Sequence, residues 1–348
     1  MSDPRAMYGH LAGQAVRAGG YYGLYELMNR VLRRFDAGET PPYKPKGPVP
    51  SMAQLRRDWL EVLLADARNV GDGLYPPISD DEAGTLFDHL DRLRAMFADL
   101  PSSTARRKSG DGAEVTRSPQ TQKLPDYYVQ NFHYQTGGYL TDHSARIYDV
   151  QVETLFLGAA QAMRRHALKP ISGFVRGRDQ RGLRLLDVAC GTGRFLGQLA
   201  QAFPGIKAAG ADLSLPYLGE ARRHLKERPA IKLIQANGEA LPFGDASQDI
   251  VTSIFLYHEL PAPVRRRVSR EIARVLKPGG IFVFIDSLQR GDKEGYDGLL
   301  EAFPVRFHEP YYAQYLRDDL DLMFRQADLK PIDETHAFLS KVMTRERA

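Results

Sequence analysis

The chain has 348 residues, with 47 Lys and Arg against 43 Asp and Glu, a formal net charge of +4. That length allows two domains, and the near balance of charge gives no contiguous basic face of the kind nucleic acid requires. One cysteine, Cys190, excludes a disulfide framework within the chain, and with no span-length apolar run and no signal sequence a soluble, cytoplasmic protein is expected.

Helix-like periodicity covers Tyr21–Phe35, Met52–Asn69 and Asp80–Leu100, the last with Leu86, Leu90, Leu93 and Phe97 on one face. Ser79 reads as its cap, with Glu82 three residues on. Thr40 to Pro50 is a Pro-rich connector, and Ser102 to Gln122, polar and rich in Ser, Thr, Arg and Lys, reads as a mobile linker. The basic triplets Arg106-Arg107-Lys108 and Arg265-Arg266-Arg267 read as linker and solvated helix face. The predicted organisation is therefore a helical domain over 1–100, a flexible linker over 101–125, and an aromatic segment with a lead-in helix over 126–180. A core over 181–348 completes it. The helical domain is expected to stabilise the chain or to form a homodimer.

Strand-like runs recur in the core at Leu183–Val188, Ile206–Ala211, Ile231–Gln235, Ile250–Phe255 and Ile281–Asp286, with helical patterns between them. This alternation implies an α/β fold with a doubly wound, mostly parallel sheet. Pro278-Gly279-Gly280 reads as the stop of a helix that begins near Pro263. After a helical pattern at Asp318–Ala327, Leu329–Thr335 and Ala337–Thr344 are two strands with almost no connection, hence an antiparallel hairpin closing a seven-stranded sheet.

The most telling stretch is Leu185-Leu186-Asp187-Val188-Ala189-Cys190-Gly191-Thr192-Gly193, a buried strand running into a glycine turn that opens a helix. Such a turn lets backbone approach a ligand, and the helix presents free N–H groups there. Gly191-x-Gly193-x-x-x-Gly197 and an acid at Asp212 leave a dinucleotide in play. Asp187 argues against it, because a pyrophosphate meets an unwelcome charge there whereas a ligand amino group is favoured.

At these residues the chain resembles the class I S-adenosylmethionine-dependent methyltransferases. The resemblance continues through Gly210-Ala211-Asp212-Leu213-Ser214, Asn237-Gly238-Glu239-Ala240-Leu241-Pro242-Phe243, Gln248-Asp249-Ile250-Val251 and Arg274-Val275-Leu276-Lys277-Pro278-Gly279-Gly280. It spans roughly Arg181 to Arg345, with phrases similar to the ubiquinone/menaquinone C-methyltransferase group. It implies the Rossmann-like methyltransferase fold and S-adenosyl-L-methionine as cofactor, with S-adenosyl-L-homocysteine as product. It further implies that Asp187, Ala189, Gly191 and Gly193 line the methionine portion, Asp212 takes the ribose hydroxyls, and Leu213 packs on the adenine. Asn237, with Gly238, stands where many members carry an Asp facing the adenine amino group. Phe255 and then Tyr257-His258-Glu259 follow the fourth strand, facing the sulfonium and acceptor.

The acceptor end is expected from two segments. Asp126 to Tyr139 is the densest aromatic stretch and reads as a lid, with His133, Tyr134 and Tyr139 toward the sulfonium. Phe307-His308-Glu309-Pro310-Tyr311-Tyr312 lies in the long connection after the fifth strand, and His308 and Tyr311 are candidates there, alongside His133 and His258, for a base or an orienting group. No metal is expected: His133, His143, His258 and Glu309 lack regular ligand spacing. Cys190 has no partner base to make it a nucleophile. The expected activity is methylation of a small phenol- or quinol-like molecule at oxygen or carbon. The alternatives are an RNA or protein methyltransferase, or a non-catalytic cofactor-binding regulator.

Overall fold

The computed structural model describes residues 2–35, 43–79, 86–117 and 124–348. Three long helices come first: α1 (Pro4–Phe35), α2 (Met52–Gly71) and α3 (Leu86–Ser109). Then α4 (Asp142–Leu155), α5 (Ala160–Arg165) and α6 (Leu168–Val175) lead to the sheet. In the core, β1 (Arg184–Val188), α7 (Arg194–Ala202), β2 (Lys207–Asp212), α8 (Leu215–His224) and β3 (Lys232–Gln235) alternate, followed by β4 (Gln248–Ile254), α9 (Ala262–Val275) and β5 (Leu276–Ser287). Helices α10 (Asp297–Arg306), α11 (Tyr312–Tyr315) and α12 (Leu320–Arg325) precede β6 (Leu329–Ala337) and β7 (Ser340–Arg347).

The seven strands form one sheet in the order β3-β2-β1-β4-β5-β7-β6. β7 runs antiparallel to both its neighbours and the remaining pairs are parallel, as the alternation and the terminal hairpin predict. The chain leaves β1 outward to β2 and β3, then returns to β4 on β1's other side. That reversal opens a crevice beyond the carboxyl ends of β1 and β4. Both faces of the central strands β1, β4 and β5 are buried, which is why these strands read as continuous apolar runs. Leu185, Ile250 and Val283 pack into a core that also takes Val62 and Leu63 of α2. Leu186, Val251, Phe282 and Phe284 face the other way, against Val268 and Ile272 of α9 and Phe324 of α12.

A buried charge network pins the N-terminal helices to this frame. Asp66 of α2 is fully buried; it accepts from Arg165 Nε of α5 at 2.9 and 3.0 Å and from the Tyr75 hydroxyl at 2.8 Å. His10 Nε2 of α1 lies 2.8 Å from the same carboxylate. Burial pushes the Asp66 carboxyl up, but the Arg165 charge and the two hydrogen bonds outweigh it and hold it below the usual carboxylate range.

Four expectations are corrected. The first helix starts at Pro4, well before Tyr21. Ser102 to Ser109, read as linker, continue α3 beyond Pro101, because buried Arg106 anchors that turn by donating to the Tyr134 carbonyl at 2.9 Å, to Glu114 at 2.8 Å and to Thr136 at 2.5 Å. Pro278-Gly279-Gly280 does not stop a helix: α9 ends at Val275, and Lys277 to Gly280 form a bulge within β5 between the Gln248↔Leu276 and Ile250↔Ile281 pairs. The connection after β5 is not an open loop, since it carries α10 and α11. Glu82, proposed to complete a cap at Ser79, and Thr40 of the Pro-rich connector lie outside the described residues.

Candidate active site

Both central strands end in a residue held in the left-handed region. Ala189 follows β1 with φ 59°, and Phe255 follows β4 with φ 60°. Such backbone is costly for residues with a Cβ and collects at functional sites. Gly191 (φ 54°) continues the turn, and Gly193 (φ 75°) sits at the N-cap of α7. A Cβ at Gly191 meets nothing within 4 Å, so the backbone there lies bare toward open space.

Neighbouring elements lock this turn. Asp212, ending β2, accepts from Gly191 N–H and Ser214 N–H, each at 2.8 Å, and burial pushes its carboxyl up to about 6 against those backbone bonds. A carboxylate offers about four acceptor positions, so it retains capacity for further donors. From the other side, Asp149 of α4 accepts from the Thr192 hydroxyl and Arg194 Nε, both at 2.8 Å. Asp187 sits beneath the turn: it is 2% exposed, lies in register with Thr252 on β4 and accepts from its hydroxyl at 2.6 Å. Burial pushes it up to about 7.

A cleft opens over these strand ends. Ala189, Gly191, Asp212, Leu213, Asn237, Gly238 and Phe255 line it; Asp187, Gly193 and Tyr134 do not. Asn237 Oδ1 accepts from Glu239 N–H at 2.9 Å. The opposite wall is aromatic: Tyr127 and Tyr128, with Tyr139, Tyr148 and Tyr217. The Tyr127 hydroxyl donates to Glu239 at 2.6 Å, and the Ser214 hydroxyl donates to the Tyr139 carbonyl at 2.6 Å, so the aromatic segment is stapled to the ends of β2 and β3. The Tyr128 hydroxyl is buried beside Ser214 at the cleft.

At one edge of the cleft, acids and imidazoles meet. Glu259 lines it and accepts from the Tyr139 hydroxyl at 2.5 Å. Tyr139 in turn lies 3.0 Å from His133 Nε2. His133 and Tyr134 are consecutive left-handed residues (φ 57° and 55°), a conformation secured by the His133 N–H donating to the His308 carbonyl and by Arg106 on Tyr134. His133 Nδ1 is 2.9 Å from Glu309 Oε1. Burial pulls the His133 imidazole down, but the charge of Glu309 outweighs it and the net shift is upward. His258 Nε2 stands 3.8 Å from Glu259, while its Nδ1 is 2.5 Å from fully buried Asp286. Burial opposes its charge, yet Asp286 and the two glutamates push it up to about 10. Glu259 itself is pushed up to about 7, first by burial and then by the Glu309 charge.

Of the candidate catalytic residues, His133 and His258 thus converge on Glu259. None of the four lines the cleft itself: His133 and His258 reach it through Glu259, the His308 ring contacts Gln130 Oε1 at 3.0 Å, and Tyr311 packs against the cluster of Phe132 and Tyr139. His308 and Tyr311 buttress the aromatic segment. His143 faces Asp99 instead, 3.9 Å away. Sequence reasoning placed Glu259 here but passed over Asp286, Tyr148 and Tyr217. Only Asp286 carries a local signal, an acid closing an otherwise apolar strand.

Comparison with known proteins bears on the core. Residues 185–280 match a family model described as a methyltransferase domain. An uncharacterized methyltransferase of Synechocystis is 35% identical over 147 residues, covering 42% of this chain and 66% of that protein. A demethylmenaquinone methyltransferase of Lactococcus lactis is 36% identical over 134 residues, covering 38% of this chain and 52% of that one. The chain thus spans between half and two thirds of the length of these curated relatives. A solved S-adenosylmethionine-dependent methyltransferase from Aquifex aeolicus aligns with TM-score 0.40 and 18% identity, over 53% of this chain and 93% of that one. No helix among the described residues is long and apolar enough to cross a membrane. The core's motifs and strand order agree with the sequence matches: residues 185–280 carry a methyltransferase domain, in a core similar to that of the demethylmenaquinone methyltransferases.

Proposed function

We propose that the protein transfers a methyl group from S-adenosylmethionine to oxygen or carbon of a small aromatic acceptor of phenol or quinol type. The observation that carries this reading is the cleft at the strand switch point, with a free-valenced carboxylate on one wall and tyrosines on the other. The cofactor fits what is present: Asp212 has acceptor capacity for two ribose hydroxyls, and Gly191 leaves bare backbone. Bound there, the cofactor supplies an already activated methyl group. The chain's task is then alignment, and orientation alone can be worth roughly 7–11 kcal/mol.

In this reading Asp212 holds the ribose, while Asn237 and Gly238 border the adenine and Leu213 packs on its face. Phe255, stacked on Phe156 with ring centres 6.4 Å apart, sets the boundary toward the acceptor. Tyr139 and Tyr148 supply ring faces suited to a sulfonium cation. Glu259, beside Tyr139, faces the acceptor. The similarity to demethylmenaquinone methyltransferases supports a quinol-like acceptor. Turnover with a panel of quinols and phenols, using methyl-labelled cofactor, tests it. Labelled product from at least one is expected, and none across the panel despite cofactor binding overturns it.

A further inference from the structure

One group at the cleft edge is built beyond what methyl-donor binding requires. His133, Glu259 and Glu309 arrive from three separate segments, and one ligand-type atom from each lies within 4.8 Å of the others. Glu309 is only 3% exposed, and its carboxylate Oε1 meets His133 Nδ1 at 2.9 Å. A buried carboxylate needs a cation against it; the protonated imidazole is one, and a metal ion held by both groups is another. Neighbouring ligands of one ion at about 2.1 Å are themselves separated by roughly 3 Å. The outer contacts are those of ligands held in place: His133 Nε2 meets the Tyr139 hydroxyl, which also donates to Glu259 Oε1, leaving Glu259 Oε2 available. A metal-bound imidazole is typically oriented through its second nitrogen in this way.

We propose that His133, Glu259 and Glu309 form a site for one divalent first-row metal ion beside the methyl-donor cleft. One imidazole with two carboxylates suits Mn²⁺, Fe²⁺ or Zn²⁺ and leaves coordination positions open. Its role rests on the methyl-transfer reading above: the open position faces the acceptor, whose hydroxyl oxygen binds the ion and loses its proton more easily, becoming the nucleophile or activating the adjacent ring carbon. The released proton passes to solvent. The binding claim itself depends on the cluster alone. A second acidic group, Asp292, Glu334 and His336, is mostly exposed and serves as the control.

The test is titration of Mn²⁺ into the full chain, followed by loss of the free-ion paramagnetic resonance signal, with and without S-adenosylhomocysteine. One saturable ion per chain is expected. Glu309→Gln and His133→Asn are expected to weaken it about 10- to 100-fold, with S-adenosylhomocysteine affinity retained as the check on folding, while Glu334→Gln leaves it unchanged. Absence of saturable Mn²⁺ binding by the wild-type chain overturns the site, as does binding undiminished in both ligand variants. Loss of S-adenosylhomocysteine binding by the wild-type chain instead overturns the methyl-transfer reading, and the Mn²⁺ titration still decides the metal site.

Discussion

The two ends of the cleft are built in opposite ways. The turn end comes from residues close together in the chain: Val188, Ala189 and Gly191, then Asp212 to Ser214, then Asn237 and Gly238, each group at the end of a strand. The acid end is assembled from His133, Tyr139, Glu259, Asp286 and Glu309, which belong to segments far apart in the chain. Backbone geometry makes the first, and side chains meeting across the fold make the second. On the proposed reading, the first holds the methyl donor and the second meets the acceptor.

The largest expected effect strikes both ends together. Asp66→Ala leaves Arg165 buried without its partner, a loss of about 3–5 kcal/mol that appears as a lower denaturation midpoint, with cofactor binding and turnover failing in parallel. Arg68→Ala, which removes only an exposed pair with Glu61, is expected to cost at most about 1 kcal/mol. If the two variants unfold alike, the N-terminal helices are not pinned through Asp66.

The next two variants separate the ends. Asp212→Ala removes charged hydrogen bonds worth about 1.5–3 kcal/mol each, so S-adenosylhomocysteine should bind about 100-fold more weakly by calorimetry. His133→Ala should do the reverse, lowering turnover about 100-fold through misplacement of the acceptor with cofactor affinity nearly unchanged. Equal loss of affinity in both variants erases the distinction, and wild-type turnover in His133→Ala reduces the aromatic segment to packing.

The smallest effect is the dependence on pH. Asp212 and Asp187 are held up to about 6 and about 7 by burial, above their ordinary values. The folded chain then keeps protons that the unfolded chain releases, so stability without cofactor falls as pH rises from about 4 to 7. Ribose binding favours ionised Asp212, so S-adenosylhomocysteine affinity should rise over pH 5 to 7, by at most about tenfold per unit. In Asp212→Asn that rise should flatten. An unaltered slope in this variant assigns the pH dependence elsewhere.

The same contrast explains what was legible in the sequence. The sheet could be read because its central strands are buried on both faces and alternate with amphipathic helices, and the hairpin because β6 and β7 leave no room for a crossover. Asp212, Leu213 and Asn237 could be placed because each sits at a fixed offset from a strand end. The meeting of Glu259 with His133 and Glu309 could not be read, since no spacing rule links residues joined only by tertiary packing. Ser102 to Ser109 was misread for a related reason. Polar composition is the same for a solvated stretch and for one whose Arg106 grips Tyr134 and Thr136, and only the partners distinguish them. The consecutive left-handed conformations of His133 and Tyr134 likewise leave no trace in residue type.

The most direct measurement is calorimetric titration of S-adenosylhomocysteine into the wild-type chain and Asp212→Ala. One equivalent bound by the wild type, and affinity about 100-fold lower in the variant, is the expected result. No binding by the wild type, or equal affinity in both, contradicts the assignment of the cleft at the ends of β1, β2 and β4.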